Sequence, residues 1–373
     1  MTIRRNDSYP LFFFFAFFSI PATTVSAAEN FSLNVGGYSK WWAVSSWSNH
    51  SLPASSHTDI KGDNEIHVSS RYTLDNGLTL GLKVELEAGG HKDQVSDPID
   101  KSYLWLESRF GKIEMGTDYN AAALLHISAP EAAGLWNGPS NGVLSDMSVP
   151  RPSAVSTMYS SNQTELGHED NAEKILYFTP PWHGLTLGVS YTPSAASEDN
   201  RAADRACDFW AAGLLFSKPI LGADLGLSAG WVTGQLPGLS DNIRERVTAF
   251  SLGGKLSYDR WTVGGSIAND RHAIKPQDIT SASIDSSGQS WDFGLLYEFS
   301  PLKLSLDYYR SEVRGLLLKK GDDRITVSQL SGKYTLNPGV ALMGAIAKID
   351  YDDESSSSRN STHGWSVMTG LGL

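Results

Sequence analysis

Residues 77–88 read GLTLGLKVELEA. Every second residue from Leu78 onward is apolar, and Lys83, Glu85 and Glu87 fall between the apolar positions. Alternation with a period of two is typical of a β-strand, whose successive side chains point to opposite faces. The stretch therefore predicts a strand with one apolar face and one charged face. The fold depends on which face meets water.

Tight turns divide the chain. Asp-Asn-Gly at 75–77 joins two alternating segments and is a strong hairpin signal. Six more short connections follow, at 110–112, 180–184, 219–223, 258–260, 300–303 and 336–339. Longer polar segments alternate with the turns, at roughly 47–63, 89–100, 119–172, 193–206, 235–245, 269–288, 312–323 and 352–361.

These connections predict sixteen antiparallel strands, with both chain ends on the side of the short turns. The spacing suits the ~10-residue tilted strands of an outer-membrane barrel. In a soluble β-sandwich, short and long connections are not expected to lie at opposite ends of the strands. We therefore predict an all-β transmembrane barrel.

Several predicted strands have one clean apolar face, as in 185–191, 261–267 and 291–299. Sixteen strands enclose a lumen too wide for side chains to fill, so the lumen holds water and the apolar face meets lipid. The opposite orientation would place Lys83 in hydrocarbon, at a cost of roughly 2–4 kcal/mol at the midplane. Lys83, Glu85 and Glu87 are therefore predicted to face the lumen. Aromatic residues near strand ends predict girdles at the membrane interfaces: Trp41, Trp182, Tyr191, Tyr258, Trp261, Tyr297, Tyr308 and Trp365.

The N-terminus has the three parts of a cleavable signal peptide. Arg4 and Arg5 precede an apolar run at 11–22, and small residues lead to predicted cleavage after Ala27 or Ala28. Residues 1–28 are thus the predicted signal peptide and residues 29–373 the barrel domain. Cleavage would leave a net charge of −12, which argues against a nucleic-acid partner. Cys207 is the only cysteine, so no intramolecular disulfide is possible.

Three segments carry a family resemblance. Residues 101–122, KSYLWLESRFGKIEMGTDYNAA, resemble the fourth and fifth strands of Gram-negative general diffusion porins of the alphaproteobacterial type. Residues 171–194 resemble the hairpin after the third loop, and 328–339 the penultimate hairpin. The resemblance implies an outer-membrane channel for passive diffusion of small hydrophilic solutes and ions. It also implies a homotrimer, with outer-membrane lipid, lipopolysaccharide and the barrel-assembly machinery as partners. The chain ends in Leu373, where such barrels usually end in an aromatic residue.

The longest connection, 119–172, corresponds in this resemblance to a loop that folds into the lumen and narrows the pore. Its acids are the predicted constriction residues: Glu131, Asp146, Glu165, Glu169 and Asp170. Basic residues predicted on the facing wall are Lys40, Arg71, Lys83, Lys101 and Arg109. Other predicted lumen-facing residues are Glu85, Glu87, Tyr103, Trp105 and Glu107. Opposed fixed charges would put a transverse field across the pore.

Other functions remain open. Tyr103 and Trp105 are compatible with a sugar-selective porin, and a run of arginines would mark a phosphate-selective one. A lipid-active barrel enzyme would need a nucleophile and a base, but no motif joins His126 or His168 to a serine. A secreted β-rich adhesin is a further alternative, and such a protein would stay in aqueous solution without detergent. No cofactor is expected. The nine histidines lack zinc-site spacing, and the acids at 168–170 and 352–354 are read as solvated charge although they could bind Ca²⁺.

Overall fold

The computed structural model describes residues 25–28, 30–49, 57–89, 98–133, 149–152, 164–169, 172–195, 206–237, 244–273, 284–316, 320–354 and 361–373. Within these ranges the chain forms seventeen strands and one short helix. None of the helical residues described forms a helix long and apolar enough to cross a membrane.

The strands are β1 (Val25–Ala28), β2 (Phe31–Ser48), β3 (Thr58–Thr73), β4 (Thr79–Glu87), β5 (Ile99–Ser108), β6 (Gly111–Thr117), β7 (Glu173–Phe178), β8 (Leu185–Ser194), β9 (Cys207–Ile220), β10 (Ala223–Pro237), β11 (Arg244–Tyr258), β12 (Trp261–Ala273), β13 (Ile284–Phe299), β14 (Leu302–Leu316), β15 (Asp323–Asn337), β16 (Val340–Asp352) and β17 (Thr362–Gly372). Helix α1 (Ala121–Leu124) lies between β6 and β7.

Strands β2 to β17 form a closed antiparallel barrel. Each strand pairs with the next along the chain, and β17 returns to β2 with Trp365 opposite Trp47. Beyond the last paired strand residue, Leu373 exchanges two backbone hydrogen bonds with Ser39, at 3.1 and 2.8 Å. Closure leaves these sixteen strands without a free sheet edge. The predicted sixteen-stranded barrel is confirmed. Strand β1 pairs with β2 and lies in the predicted signal peptide.

The seven predicted short turns all join consecutive strands. At the other end of the barrel the strands run farther than predicted. Strand β13 begins at Ile284 and β14 ends at Leu316, where the sequence indicated loops. The reason is that the ladder continues through polar residues, such as Gln289 opposite Glu312. Polar strand ends of this kind project beyond an apolar band.

The two faces of the barrel differ sharply. The outer face exposes large apolar side chains, among them Leu104, Met115, Leu252 and Phe293, which are 52–64% exposed. The inner face buries polar ones, including Glu85, Glu114, Asp292 and Ser366. A soluble protein has the reverse arrangement, whereas a barrel in lipid needs this one.

Parts of the inner face are apolar, although the sequence predicts a polar, water-lined one. On β15 to β17 and β2, inner-face residues such as Val327, Ile349 and Met368 form a buried cluster with Ala133 and Val149. A second cluster joins inner-face residues of β9 to β12, namely Phe209, Ala211, Val232, Val247, Ala249 and Ala268, to Ala122 and Leu166. These parts of the inner face are apolar, and not water-lined as predicted, because residues of the connection between β6 and β7 pack against them.

Candidate functional site

The connection between β6 and β7, residues 118–172, is called here the third connection. Its first turn is α1, which is capped by Asn120 accepting a hydrogen bond of 2.9 Å from the amide of Ala123. The buried Asn120 side chain also donates to the carbonyl of Leu166 and to Glu169, at 2.9 and 3.1 Å. One asparagine thus ties the beginning of the third connection to its end.

Backbone amides of the third connection donate to side chains on the inner face. Ala121 donates to Ser190 on β8 and Ile127 donates to Ser228 on β10, at 3.1 and 3.0 Å. Farther along, Ala129 donates to Asp292 on β13 and Ala132 donates to Ser305 on β14, at 2.7 and 3.0 Å. Buried amides without a partner in a helix or sheet need such acceptors. The third connection is therefore fixed to strands from β8 to β14.

Asp292 is the central acceptor of this arrangement. Its carboxylate accepts from Ala129, from the hydroxyl of Thr164 at 2.8 Å and from the hydroxyl of Ser266 at 2.6 Å. It therefore joins two separate parts of the third connection, at Ala129 and at Thr164, to the wall. Wall glycines allow the backbone to come this close, since a Cβ on Gly253 would lie 2.0 Å from the carbonyl oxygen of Ile127.

The predicted acids of the third connection have different surroundings. Glu131 accepts hydrogen bonds from Ser331, Gln329 and the amide of Ala133, at 2.6, 3.3 and 2.6 Å. Glu169 is buried beside Asn120 and Thr192, and burial raises the pKa of its carboxyl. Glu165 is half-buried. Asp146 and Asp170 lie outside the described residues.

The predicted basic residues of the wall form ion pairs with wall carboxylates. Lys101 donates to Glu85 at 2.8 Å, and Lys83 contacts the other oxygen of the same carboxylate. Lys40 lies 3.1 Å from Asp63. The structure therefore joins these lysines to acids on the same or a neighbouring strand, whereas the sequence pointed to the acids of the third connection.

The two predicted arginines lie nearer the short turns. Arg71 is 4.0 Å from Glu107, and both side chains are more than half exposed. Arg109 lies in the turn after β5, over the ring of Phe110 at 4.7 Å. Arg109 is thus separated from the ion pairs around Glu85.

A family model for the Gram-negative porins matches residues 15–354. The chain belongs to this family. Among solved structures it is similar to the anion-selective porin of Comamonas acidovorans, with 14% identity and a TM-score of 0.65 over 92% of this chain and all of that one. It is also similar to the trimer form of OmpT of Vibrio cholerae, with 13% identity and a TM-score of 0.59 over 91% and 99% of the two chains. Both likenesses concern the fold.

An uncharacterised protein of Rickettsia conorii is 21% identical over 331 residues, which cover 71% of this chain and 72% of that protein. Family membership and the closed barrel identify the protein as an outer-membrane channel for passive diffusion. They are features of a channel rather than of an enzyme.

The polar wall of the porin includes side chains on β2 and β3 that the sequence did not indicate. The hydroxyl of Tyr38 donates to Asp63 and Glu65, at 2.9 and 2.5 Å. Glu65 lies 2.6 Å from His67, which is 4.0 Å from Glu85. Alternation in 65–74 could have identified Glu65, His67 and Arg71 as one face, because they are two or four residues apart. It gives no information on their partners.

The inner face of the porin also has an aromatic surface beside these ion pairs. Trp105 on β5 lies against Gly81 on β4, where a Cβ would be 2.2 Å from the indole. The guanidinium of Arg71 and the ammonium of Lys112 are 5.8 and 5.4 Å from the ring centre. Tyr103, two residues away, lies 5.9 Å from Lys112. Only glycine at position 81 leaves room for this placement of the ring.

Among the described residues, two groups of side chains offer the ligand types of a metal site. Asp323, Asp353 and Glu354 are buried together, with candidate ligand atoms within 4.8 Å of one another, and carboxylates suit Ca²⁺. This group contains two of the acids at 352–354. Glu65, His67 and Glu85 form the other group, in which Glu85 already holds two lysines.

The two histidines considered for catalysis fasten the third connection. His168 lies 2.6 Å from Asp270 on β12, and this carboxylate raises the pKa of the imidazole although burial opposes the rise. His126 lies 3.2 Å from Thr164, and burial lowers its pKa to about 4. Within 168–170, His168 and Glu169 therefore have separate partners.

Proposed function

We propose that this porin admits small hydrophilic solutes and ions through a pore that its third connection narrows from inside the lumen. The observation that carries the proposal is the row of amide hydrogen bonds from Ala121, Ile127, Ala129 and Ala132 to inner-face side chains. A segment held at these points, with Ala133 and Val149 packed on β15 to β17 and β2, occupies lumen on that side of the barrel. The remaining path for solutes runs along β3 to β6, where the wall carries charges of both signs.

Shortening the third connection tests this proposal. Structureless loops beyond ~15 residues are usually functional, so deletion of about fifteen residues around 131–146 should widen the pore. Larger sugars should then enter liposomes faster while the barrel still assembles. A deletion within the connection at 196–203 serves as the control and should leave size exclusion unchanged. Unaltered size exclusion after the first deletion, in a folded barrel, would contradict the proposal.

We also infer a homotrimer of mature chains, exported by the signal peptide and inserted by the barrel-assembly machinery. The trimer form of OmpT of Vibrio cholerae, which shares the fold, supports this inference. The protein should extract only with detergent and migrate in gels as a heat-dissociable trimer. Its intact mass should correspond to a chain that begins at residue 28 or 29. A soluble periplasmic monomer would contradict the inference.

A sugar-selective channel is the second candidate, and the placement of Trp105 favours it. An indole held against the wall offers an apolar surface to a sugar ring, while Arg71, Lys112 and Glu107 supply donors and acceptors for hydroxyls. Glucose should then increase current noise in wild-type channels, and Trp105→Ala should reduce this effect. If glucose causes equal current noise in wild-type and Trp105→Ala channels, sugar selectivity is contradicted and general diffusion is favoured.

A further inference from the structure

A histidine and two glutamates lie together on the inner face of β3 and β4. Strand register places His67 directly opposite Glu85, and Glu65 is two residues before His67 on the same face. The imidazole Nε2 of His67 lies 2.6 Å from Glu65 and 4.0 Å from Glu85. One candidate ligand atom from each of the three side chains lies within 4.8 Å of the other two. These three residues are called here the His67 cluster.

The spacing of the His67 cluster is close to that of a metal site. Zn²⁺ binds imidazole nitrogen and carboxylate oxygen at about 2.0–2.2 Å, so a tetrahedral ion holds its ligand atoms about 3.3 Å apart. The separations of 2.6 and 4.0 Å lie on either side of that value. Small rotations of the two glutamate side chains would therefore bring all three ligand atoms to one ion. The imidazole ligand favours Zn²⁺ and similar transition-metal ions over Ca²⁺ and Mg²⁺.

Neighbouring residues on β2 leave space for an ion and orient one ligand. Gly36 lies directly opposite His67, and a Cβ at Gly36 would meet no atom of the described residues within 4 Å. This space leaves room for water ligands on the lumen side. The hydroxyl of Tyr38 donates at 2.5 Å to the oxygen of Glu65 that does not contact His67. Carboxylates that bind metals are commonly oriented by such an outer hydrogen bond.

The charge around the His67 cluster favours a divalent cation. The surrounding wall consists of residues 63–69 of β3, the residues that pair with them on β2 and β4, and residues 100 and 101 of β5. In this described part of the wall the acids are Asp63, Glu65, Glu85, Glu87 and Asp100, and the lysines are Lys40, Lys83 and Lys101. Five carboxylates against three ammonium groups leave an excess of two negative charges. Glu65 and Glu87 are directly opposite each other, where like charges repel.

The two lysines on Glu85 differ in how they would compete with an ion. Lys101 donates at 2.8 Å to the carboxylate oxygen that is not the one nearest His67, and its side chain is 11% exposed. Lys83 contacts the oxygen nearest His67, and its side chain is 26% exposed. An incoming ion therefore competes mainly with Lys83, whose ammonium can turn into the water of the lumen. Lys101 can keep its contact and hold Glu85 in place.

We propose that Glu65, His67 and Glu85 bind a divalent transition-metal ion on the wall of the pore, and that Zn²⁺ fits this site. The spacing of the histidines in the sequence does not indicate the site, because only one histidine contributes and strand register supplies Glu85. The His67 cluster lies on the part of the wall along which the proposed solute path runs. Metal binding is nevertheless independent of which solutes the pore admits.

Zinc binding by the detergent-solubilised barrel tests the inference, after EDTA treatment and removal of the chelator. The probe is ZnCl₂, and isothermal titration calorimetry gives the Kd. His67→Gln should weaken binding by about tenfold or more, because loss of an outer hydrogen-bond partner of a metal ligand already costs about 10–100-fold. Lys83→Gln should tighten binding, because it removes the competing ammonium group. A gain in affinity cannot result from a misfolded barrel.

The matched control is His363→Gln. His363 also lies beside two acids, at 3.1 Å from Asp350 and 3.8 Å from Asp352, but its side chain is 48% exposed. This control should retain wild-type zinc binding. An unchanged Kd in His67→Gln, an equal loss in His363→Gln, or no gain in Lys83→Gln would overturn the inference. A wild-type barrel that binds Zn²⁺ in this way but conducts no current would refute the channel and leave the metal site standing.

Discussion

Ser331 on β15 donates a hydrogen bond of 2.6 Å to Glu131, which precedes it by 200 residues. This bond fastens the third connection to the wall near Gln329. Ser331→Ala should loosen the connection, because Glu131 loses a short hydrogen bond to a partly buried carboxylate. Single channels should then close spontaneously more often than wild-type channels. Ser328→Ala, on the outer face of the same strand, should behave as wild type, and similar closing rates in both variants would refute this role of Ser331.

Asp292 should contribute most to holding the third connection against the barrel wall. Asp292→Ala removes the acceptor for Ala129, Thr164 and Ser266, and hydrogen bonds to charged groups are worth about 1.5–3 kcal/mol each. We expect noisier channels and a lower midpoint of thermal unfolding in detergent, followed by circular dichroism. Asp59→Ala at an exposed strand position is the matched control. A midpoint for Asp292→Ala equal to that of the control would contradict the expectation.

Acid should loosen the third connection through His126. Burial lowers the pKa of this imidazole to about 4, so the folded protein holds it neutral. Its contribution to stability is complete above the ordinary value near 6.5 and is lost as the pH falls from about 6.5 towards 4. Channel closures should become more frequent over this range, and His126→Gln should lessen the change. His183→Asn, in a short turn, should keep the wild-type pH dependence; an unchanged response in His126→Gln would exclude His126 as the cause.

Ion preference should depend on the balance of charge around Glu85. Lys83→Gln removes one of the two cations on this carboxylate and leaves Lys101. Cation selectivity should rise at low salt and fade near 1 M salt, where the Debye length is about 3 Å. Reversal potentials under a tenfold KCl gradient measure it, with the exposed Lys218→Gln as control. A shift towards anions in Lys83→Gln would refute the proposed effect of the wall charges.

Much of the barrel could be predicted from the sequence, because its signals are local. Alternation within 77–88 identifies a strand, and the turn at 75–77 identifies a hairpin. Strand ends were harder to place, since β13 and β14 continue through polar residues that look like loop. The outward direction of the apolar faces followed from the number of strands, because sixteen strands cannot fill their lumen with side chains.

The candidate site was less predictable, because it depends on contacts between distant residues. Alternation places Lys101 and Glu85 on inner faces, but only the register of β4 with β5 makes them a pair. Nothing local in the sequence connects Glu131 with Ser331. The apolar part of the inner face could not be predicted either. Both faces of β16 are apolar, and nothing in the sequence indicates that Ala133 and Val149 pack against its inner face.

The barrel should conduct ions as a water-filled channel. Recording purified, detergent-extracted protein in planar lipid bilayers tests it most directly. We predict stepwise current increments that are linear in voltage at small potentials and grow with KCl concentration, as expected for passive diffusion through water. Folded protein that inserts into the bilayer and passes no current at any salt concentration would contradict the account.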